Sequence, residues 1–460
     1  MGLGLLGRGV GDVRFLAEQG AILTVTDLKT ESELKESLDK LKHIQGIEYV
    51  LGEHRLEDFR NRDVVLKSAG VPFDSPFIAE ARKNNISVKM STSLFAEFFL
   101  GTIVGITGTR GKSTVSAMVY EILKSSGKKT FLGGNTKGVS TLAHITEASE
   151  DEIVVLELDS WQLQGFGEEK LSPHISVFTT FYPDHLNYYK KNLDLYLADK
   201  ANIFKYQQPT TNNQQPVLIL GEQVVNLIQE KYPEYAKRAI IAKLDNLPRN
   251  LKLKVPGEHN RYNAACAAAA ARALGIDEET IKKGLESFIG LEGRLELIRE
   301  IKGVKIYNDT TSTTPNATVA ALKALGSGGQ LGARKNIILI FGGNDKGLDI
   351  TPPPFYQSYF KYGSGTIEKK VGGFTELLEL LSRFCKAVFV IPGTGSDLLP
   401  LNVSELELKR VENLEEAVSQ SINIANSGDI ILFSPAFTSF GQFRNEYDRG
   451  DSFMGLVNNL

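Results

Sequence analysis

Short apolar runs alternate with amphipathic stretches along the whole chain. Near the start, AILTVTD (21–27) is a β-rich run that ends in an acid. DVVLKSAG (63–70) is a second, followed by the turn signal Val71-Pro72. SPFIAEARKNN reads as a helix with Ser75 as N-cap and Pro76 at its first position. NISVKM (85–90) adds another strand. The alternation predicts a βαβ series on a parallel, doubly wound sheet.

A second block opens near Gly101. TIVGITG, EIVVLELDS and HISVFTTF have the continuous apolar character of strands buried on both faces. KSTVSAMVYEILKSSG and LDLYLADKANIFKY read as helices, and QPVLIL, RAIIAKL and the alanine-rich helix NAACAAAAARALG follow. A third block opens near Gly293. GVKIYND, KNIILIFGGN, KAVFVIPG and DIILFSPA are strands, and PNATVAALKALG, FTELLELLSRF and NLEEAVSQSINIAN are helices between them. Residues 326–332 and 362–372 are glycine-rich loops. The expectation is an α/β chain of three domains, at 1–92, 93–292 and 293–460, without an internal repeat.

Length agrees with that division, since 460 residues suggest about three domains at ~150 residues each. Hydrophobic residues at 42% and charged residues at 23% exclude disordered and fibrous classes. A formal net charge of -3 argues against a nucleic-acid partner. Cys266 and Cys385 are too few and too far apart for a disulfide framework or a cysteine zinc site. No apolar run approaches the ~18 residues of a transmembrane helix. The start MGLGLLGRGVGDVRF does not read as a signal peptide. A cytoplasmic protein without membrane contact is expected.

GITGTRGKST (105–114) is the sharpest chemical signal. A strand runs into a glycine-rich loop, and Lys112-Ser113-Thr114 opens a helix. Phosphate requires backbone N–H groups at a helix N-terminus, glycines that let the chain wrap closely, and a lysine for the terminal phosphates. Gly108, Thr109, Arg110 and Gly111 form that loop, and Ser113 or Thr114 offers a hydroxyl to Mg²⁺. The general P-loop spacing puts a glycine where Ile106 stands, so this is a T-G-T-x-G-K-S-T variant.

Gly2, Gly4 and Gly7 have GxGxxG spacing, and Asp27 closes the next strand where a ribose-binding acid would sit. The preceding strand is nearly absent, because the sequence starts at Met1. Glu157 ends EIVVLELDS and Asp184-His185 follows HISVFTTF, the strand ends where α/β sites gather. Lys200 lies on the next helix. A carboxylate and an imidazole beside a phosphate loop suit a metal or phosphate shell, although a solvated acid and a surface histidine would look the same. The histidines at 43, 54, 144, 174 and 259 have no metal spacing and read as structural. Asn260 and Asn263 precede the alanine-rich helix, as caps or as readers of an adenine edge. Arg294, Asp309, Lys346 and the segment 434–443 lie at or near strand ends of the third block and suggest a binding face.

Together these motifs resemble the Mur ligase family, ATP-dependent amide-forming enzymes of peptidoglycan assembly. The resemblance runs over nearly the whole chain and keeps the order of its parts. TGTRGKST resembles the family's phosphate loop, and LELDSWQL its glutamate-bearing strand. PDHLNYY and ADKANIF resemble the metal-binding histidine segment and the carbamylated-lysine segment. GEHNRYNAACAAAA resembles the asparagine pair near adenine, and GRLE, YNDTTSTTP, GGNDKG and SPAFTSFGQFRNEYDRG the C-terminal set. SAGVPFDSP and the C-terminal SPAxxSxxQFxNExxRG favour the glutamate-adding branch.

The resemblance implies a Rossmann-like UDP-binding domain, a central ATPase domain and a Rossmann-like amino-acid-binding domain. It implies ATP, two Mg²⁺ ions, UDP-N-acetylmuramoyl-L-alanine and glutamate as ligands of a monomer. In that pattern Lys112 and the loop hold ATP phosphates. Ser113, Glu157 and His185 serve magnesium, with Lys200 as a carbamate ligand, and Asn135 faces nucleotide and substrate acid. Asn260 and Asn263 lie at the adenine, with Arg294 and Asp309 on phosphate and ribose. Gly4, Leu5, Leu6, Asp27 and Gly70 hold the UDP end. Thr311, Thr313, Lys346 and Ser439 meet the glutamate.

Three departures cluster near the incoming amino acid. Asp159 replaces the first serine of ELSSFQL, Thr311 stands where the family has a lysine, and Glu446 where it has a phenylalanine. Two added carboxylates are expected to repel an anionic substrate unless paired with lysine or arginine. D-glutamate is expected, with L-glutamate as the alternative. A nucleotide-dependent transport ATPase would use the same loop without a UDP-sugar. A folyl-polyglutamate-synthase-like ligase would lack residues 1–92.

Overall fold

The structure is a computed structural model, and it describes residues 1–209, 215–326, 335–345, 373–439 and 442–460. The chain divides into two compact units, residues 1–251 with 262–287, and residues 252–261 with 288–460.

A six-stranded sheet organises the first unit, in the order Ile240–Ala242, Val217–Gly221, Ile175–Phe178, Thr102–Thr107, Ile153–Glu157, Thr130–Gly134. Every pairing in it is parallel. Helices Lys112–Ser125 and Ser160–Glu168 connect its central strands, so the strands are buried on both faces and read as unbroken apolar runs. The register matters for function. Ile106 pairs with Glu157, Gly134 with Glu157, and Thr107 with Phe178. The residues that follow these strands, Gly108, Asn135, Leu158 and Thr179, therefore emerge at one sheet edge.

The N-terminal part departs from the expected single doubly wound sheet. It contains two separate parallel ribbons, Leu23–Asp27 with Ile47–Leu51 and Val64–Leu66 with Ser87–Lys89. Met1 and Gly2 bond to both ribbons. The Met1 amine donates to Leu66 O at 2.9 Å, Ser68 N donates to Met1 O at 2.9 Å, and Gly2 N donates to Thr26 O at 2.8 Å. These bonds lie between the two ribbons. Gly4 and Gly7 have φ of +67° and +84°, which turns the chain directly into helix Arg8–Glu18.

The second unit holds a seven-stranded sheet among the described residues, in the order Glu296–Ile301, Val304–Asn308, Ile430–Phe433, Ile337–Gly342, Cys385–Ile391, Leu406–Arg410, Asn402–Val403. Its two outer pairings are antiparallel and the rest parallel. Strand alternation divides its core. Leu339 and Phe341 pack with Leu322 and Leu381, whereas Ile338 and Ile340 pack with Phe433 and Phe453. No helix among the described residues is long and apolar enough to cross a membrane.

Candidate active site

The loop after strand Thr102–Thr107 is built for close approach. Gly108 and Gly111 have φ of +148° and +86°. A Cβ on Gly108 would meet the Thr179 hydroxyl, and one on Gly111 would lie 2.5 Å from Asn263 Oδ1. Neighbouring backbone pins the loop: Thr109 N donates to Thr180 O at 2.7 Å, and Thr179 Oγ1 donates to Arg110 O at 2.6 Å. Arg110 pairs with Asp184 at 3.1 Å. Gly111 begins helix Lys112–Ser125 and no side chain caps it. That is the arrangement an anion occupies.

Two ammonium groups converge on this loop. Lys112 Nζ donates to Gly108 O at 3.0 Å and to Thr109 O at 3.3 Å. Lys200 Nζ donates to the same Gly108 O at 3.0 Å and lies 4.9 Å from the Tyr196 ring centroid. Lys200 is 1% exposed. Neither lysine makes an ion pair among the described residues. Burial lowers the pKa of both, and the charge of Lys112 lowers that of Lys200 further. Two buried cations held together with no close ion pair describe a site completed by an anion.

Around them stand the acid and the imidazole. Glu157 is buried and its Oε1 accepts a 3.4 Å contact from Asn135 Nδ2. His185 has φ +53°, and its ring lies 4.5 Å from Trp161 and 6.0 Å from Tyr196. Burial lowers its pKa most; Asp184 works against this, and Lys112 and Lys200 add to it. The imidazole is therefore held neutral, the form that ligates. No group of three or more His, Cys, Asp or Glu among the described residues could cage a metal ion alone. One carboxylate beside a phosphate loop fits magnesium, which keeps its waters and shares substrate phosphates.

Asp159 turns out to be a helix cap. Its Oδ1 accepts from Gln162 N at 2.7 Å while Gln162 Oε1 accepts from Asp159 N at 3.2 Å, a capping box on helix Ser160–Glu168. The expected repulsion is also offset, because Lys67, Lys112 and Lys200 all feel its charge.

Asp27 organises the glycine turn near the N-terminus. Its two oxygens accept from Gly4 N and Lys29 N, both at 2.9 Å, and Ser37 Oγ donates to Gly4 O at 2.8 Å. Leu5 is exposed, and Leu6 O accepts from Gly138 N at 2.7 Å. Gly70 has open space around it.

The second unit keeps its own candidates together. Asp309 is buried, and Leu295 N, Ser312 Oγ and Ser434 Oγ donate to it at 3.0, 2.6 and 2.7 Å. Burial pushes its pKa up to about 6 against those bonds. The residue after Arg294 is thereby tied to the last sheet strand. Thr311 Oγ1 donates to Gly293 O at 2.8 Å, and Thr313 N donates to Thr311 O at 3.0 Å. Ser439 lines a recess with Thr438, Gln442 and Arg449. Asn260 Nδ2 donates to Pro256 O at 2.7 Å. Lys346 lies outside the described residues.

Comparison with known proteins adds an independent finding. Residues 1–89 match the Mur ligase MurD-like N-terminal domain, 106–271 the Mur ligase middle domain, and 293–437 the Mur ligase glutamate ligase domain. The chain belongs to the Mur ligase family. A UDP-N-acetylmuramoylalanine--D-glutamate ligase from Roseiflexus is 34% identical, with 99% of this chain and 97% of that protein covered. A Borreliella burgdorferi protein of the same name is 33% identical, with 100% and 97% covered. Among solved structures, a UDP-N-acetylmuramate-alanine ligase from Thermotoga maritima has a TM-score of 0.61 at 18% identity, covering 100% of this chain and 98% of its own. That last likeness concerns the fold.

Within this Mur ligase the sequence singled out Lys112, Lys200, Glu157, Asn135 and His185, and the fold gathers them at one sheet edge. It missed Tyr196, whose hydroxyl lies 3.3 Å from Thr109 Oγ1 beside Lys200. The only sequence signal was its place four residues before that lysine. It also missed Arg8, whose partner is 127 residues away.

Proposed function

We propose that this Mur ligase joins D-glutamate to UDP-N-acetylmuramoyl-L-alanine, using ATP and releasing ADP and phosphate. The observation that carries this is the convergence of Lys112 and Lys200 on Gly108, neither in a close ion pair among the described residues. The names of its relatives support the two substrates. We also propose the division 1–92, 93–292 and 293–460 for UDP-sugar, ATP and amino acid, and cytoplasmic action.

The chemistry follows from the groups present. A carboxylate is a poor acyl donor, because oxide would have to leave. Attack of the alanyl carboxylate on the γ-phosphorus, with cleavage of the bond to the β-phosphate and departure of ADP, gives an acyl phosphate with a good leaving group. Lys112 and the loop N–H groups stabilise charge on the transferring phosphoryl. The glutamate amine then attacks the acyl carbon, and phosphate departs. Asn263, Asn260, Arg294 and Asp309 are assigned to the nucleotide, and Thr311, Thr313, Lys346 and Ser439 to the amino acid.

Two magnesium ions would be held by Ser113, Glu157, His185 and a carbamylated Lys200, and would supply charge neutralisation between carboxylate and triphosphate. The desolvated amine of Lys200 supports carbamylation, since the neutral form is the one that adds CO₂. The test is phosphate release by purified protein with UDP-N-acetylmuramoyl-L-alanine and each glutamate enantiomer. Release with D-glutamate alone is expected. ATP turnover independent of the UDP-sugar would overturn the reading.

A further inference from the structure

We propose that Arg8 is a positioning residue: it fixes the amide of Asn135, and through it the carboxylate of Glu157. The inference rests on the function proposed above. Arg8 is the first residue of helix Arg8–Glu18, directly after Gly7. Its Nη1 donates to Asn135 Oδ1 at 2.7 Å. Asn135 N donates to Glu157 O at 2.8 Å, and Asn135 Nδ2 faces Glu157 Oε1 at 3.4 Å. A guanidinium has donors and no acceptor, so it admits only one orientation of the amide. Oδ1 must face Arg8, and Nδ2 is then aimed at Glu157. The flipped amide would direct an oxygen at the carboxylate and repel it.

The gap that Arg8 spans is fixed. Gly138 N donates to Leu6 O at 2.7 Å, and Ser140 Oγ donates to Asp12 Oδ1 at 2.6 Å. A Cβ on Gly7 would lie 3.1 Å from Gly138 Cα, and one on Gly11 would lie 2.5 Å from Ser140 Cβ. The glycine turn and the GGNTKG loop thus pack backbone on backbone, with Arg8 reaching across their joint. One donor-only side chain on the N-terminal turn decides how the phosphoryl-transfer carboxylate is presented.

The experiment compares Arg8→Met and Arg8→Lys by steady-state kinetics and thermal unfolding. Both keep an unbranched stem, but only lysine is a cationic donor without an acceptor. Arg8→Met should lower kcat roughly 10- to 100-fold, the usual loss when a group orienting a catalytic ligand is removed. Its KM for ATP should stay within about threefold, and its Tm should match wild type. Arg8→Lys should recover most of kcat. Equal behaviour of the two variants, or wild-type kcat in Arg8→Met, overturns the inference while wild-type turnover leaves the proposed function standing. Absence of UDP-sugar-dependent phosphate release by the wild type overturns both.

Discussion

Lys112→Met separates the catalytic charge from the packing of the fold. Methionine retains the unbranched stem of the side chain and loses the ammonium. Both carbonyls it vacates have a second donor: Gly108 O keeps Lys200 Nζ at 3.0 Å, and Thr109 O keeps Arg110 Nη1 at 3.3 Å. No buried acceptor is orphaned, so the usual cost of an unsatisfied polar group is avoided. Burial already works against the Lys112 charge, and that charge also lowers the Lys200 pKa. The unliganded variant should therefore unfold at or above the wild-type temperature. Catalysis should respond the other way. Removing one charge aimed at a transferring group costs about 2.7–4 kcal/mol, or ~10²–10³ in kcat. ATP at 100 times its Kd should stabilise the wild type by about 2.7 kcal/mol, and the variant by much less. The assays are phosphate release with UDP-N-acetylmuramoyl-L-alanine and calorimetric melting with and without ATP. Activity within a few-fold of wild type would refute the phosphate-loop reasoning. A clearly lower melting temperature without ATP would refute the claim that this charge is held at a cost to the fold.

Other substitutions probe the remaining parts. Lys200→Ala should be inactive, and short carboxylic acids should restore part of the activity by standing in for a carbamate; full activity without them would make Lys200 a packing residue. Asp27→Ala removes an acceptor from Gly4 N and Lys29 N, so KM for the UDP-sugar should rise about tenfold or more. The KM for ATP should stay constant, and an equal rise in both would place Asp27 elsewhere. His174 Nδ1 accepts from Ile103 N at 3.0 Å, and burial lowers its pKa below the ordinary 6.5. The unfolded chain then takes the proton first, so this stability is present above about pH 6.5 and lost as pH falls below it. Thermal melts should show less acid loss in His174→Gln than in wild type; identical pH profiles would exclude the histidine.

The phosphate loop was legible because its signal is local: strand, glycines, lysine and helix are contiguous. Glu157, His185 and Lys200 were legible through their place at or just after apolar strands and on the following helix. Strand Thr130–Gly134 ends in Gly133 and Gly134, poor strand formers, and escaped notice although it pairs with the central sheet. Ile47–Leu51 escaped too, since Glu48 and Tyr49 expose it to solvent and dilute the apolar run. The two-ribbon start was beyond pattern reading, because Met1 and Gly2 bond to both ribbons with no side-chain signature. Arg8 shows the remaining limit. Its contact with Asn135 exists only after the first unit has folded.

The three departures from the family pattern have local structural employment. Asp159 caps helix Ser160–Glu168, a task that serine and aspartate perform about equally well. Glu446 is the first residue of helix Glu446–Asn458, where a carboxylate faces the positive end of the helix dipole. The Thr311 hydroxyl donates to Gly293 O and so holds the strand entry beside Arg294. Each change is thus accounted for by the chain around it, without a different substrate. The repulsion expected from Asp159 is met by three lysines, and Glu446 is partly balanced by Arg449, whose charge it supports. The reason to suspect L-glutamate rested on these positions being reshaped for another amino acid. Once they serve caps and loop anchors, D-glutamate follows as the proposed substrate from the family relationship alone.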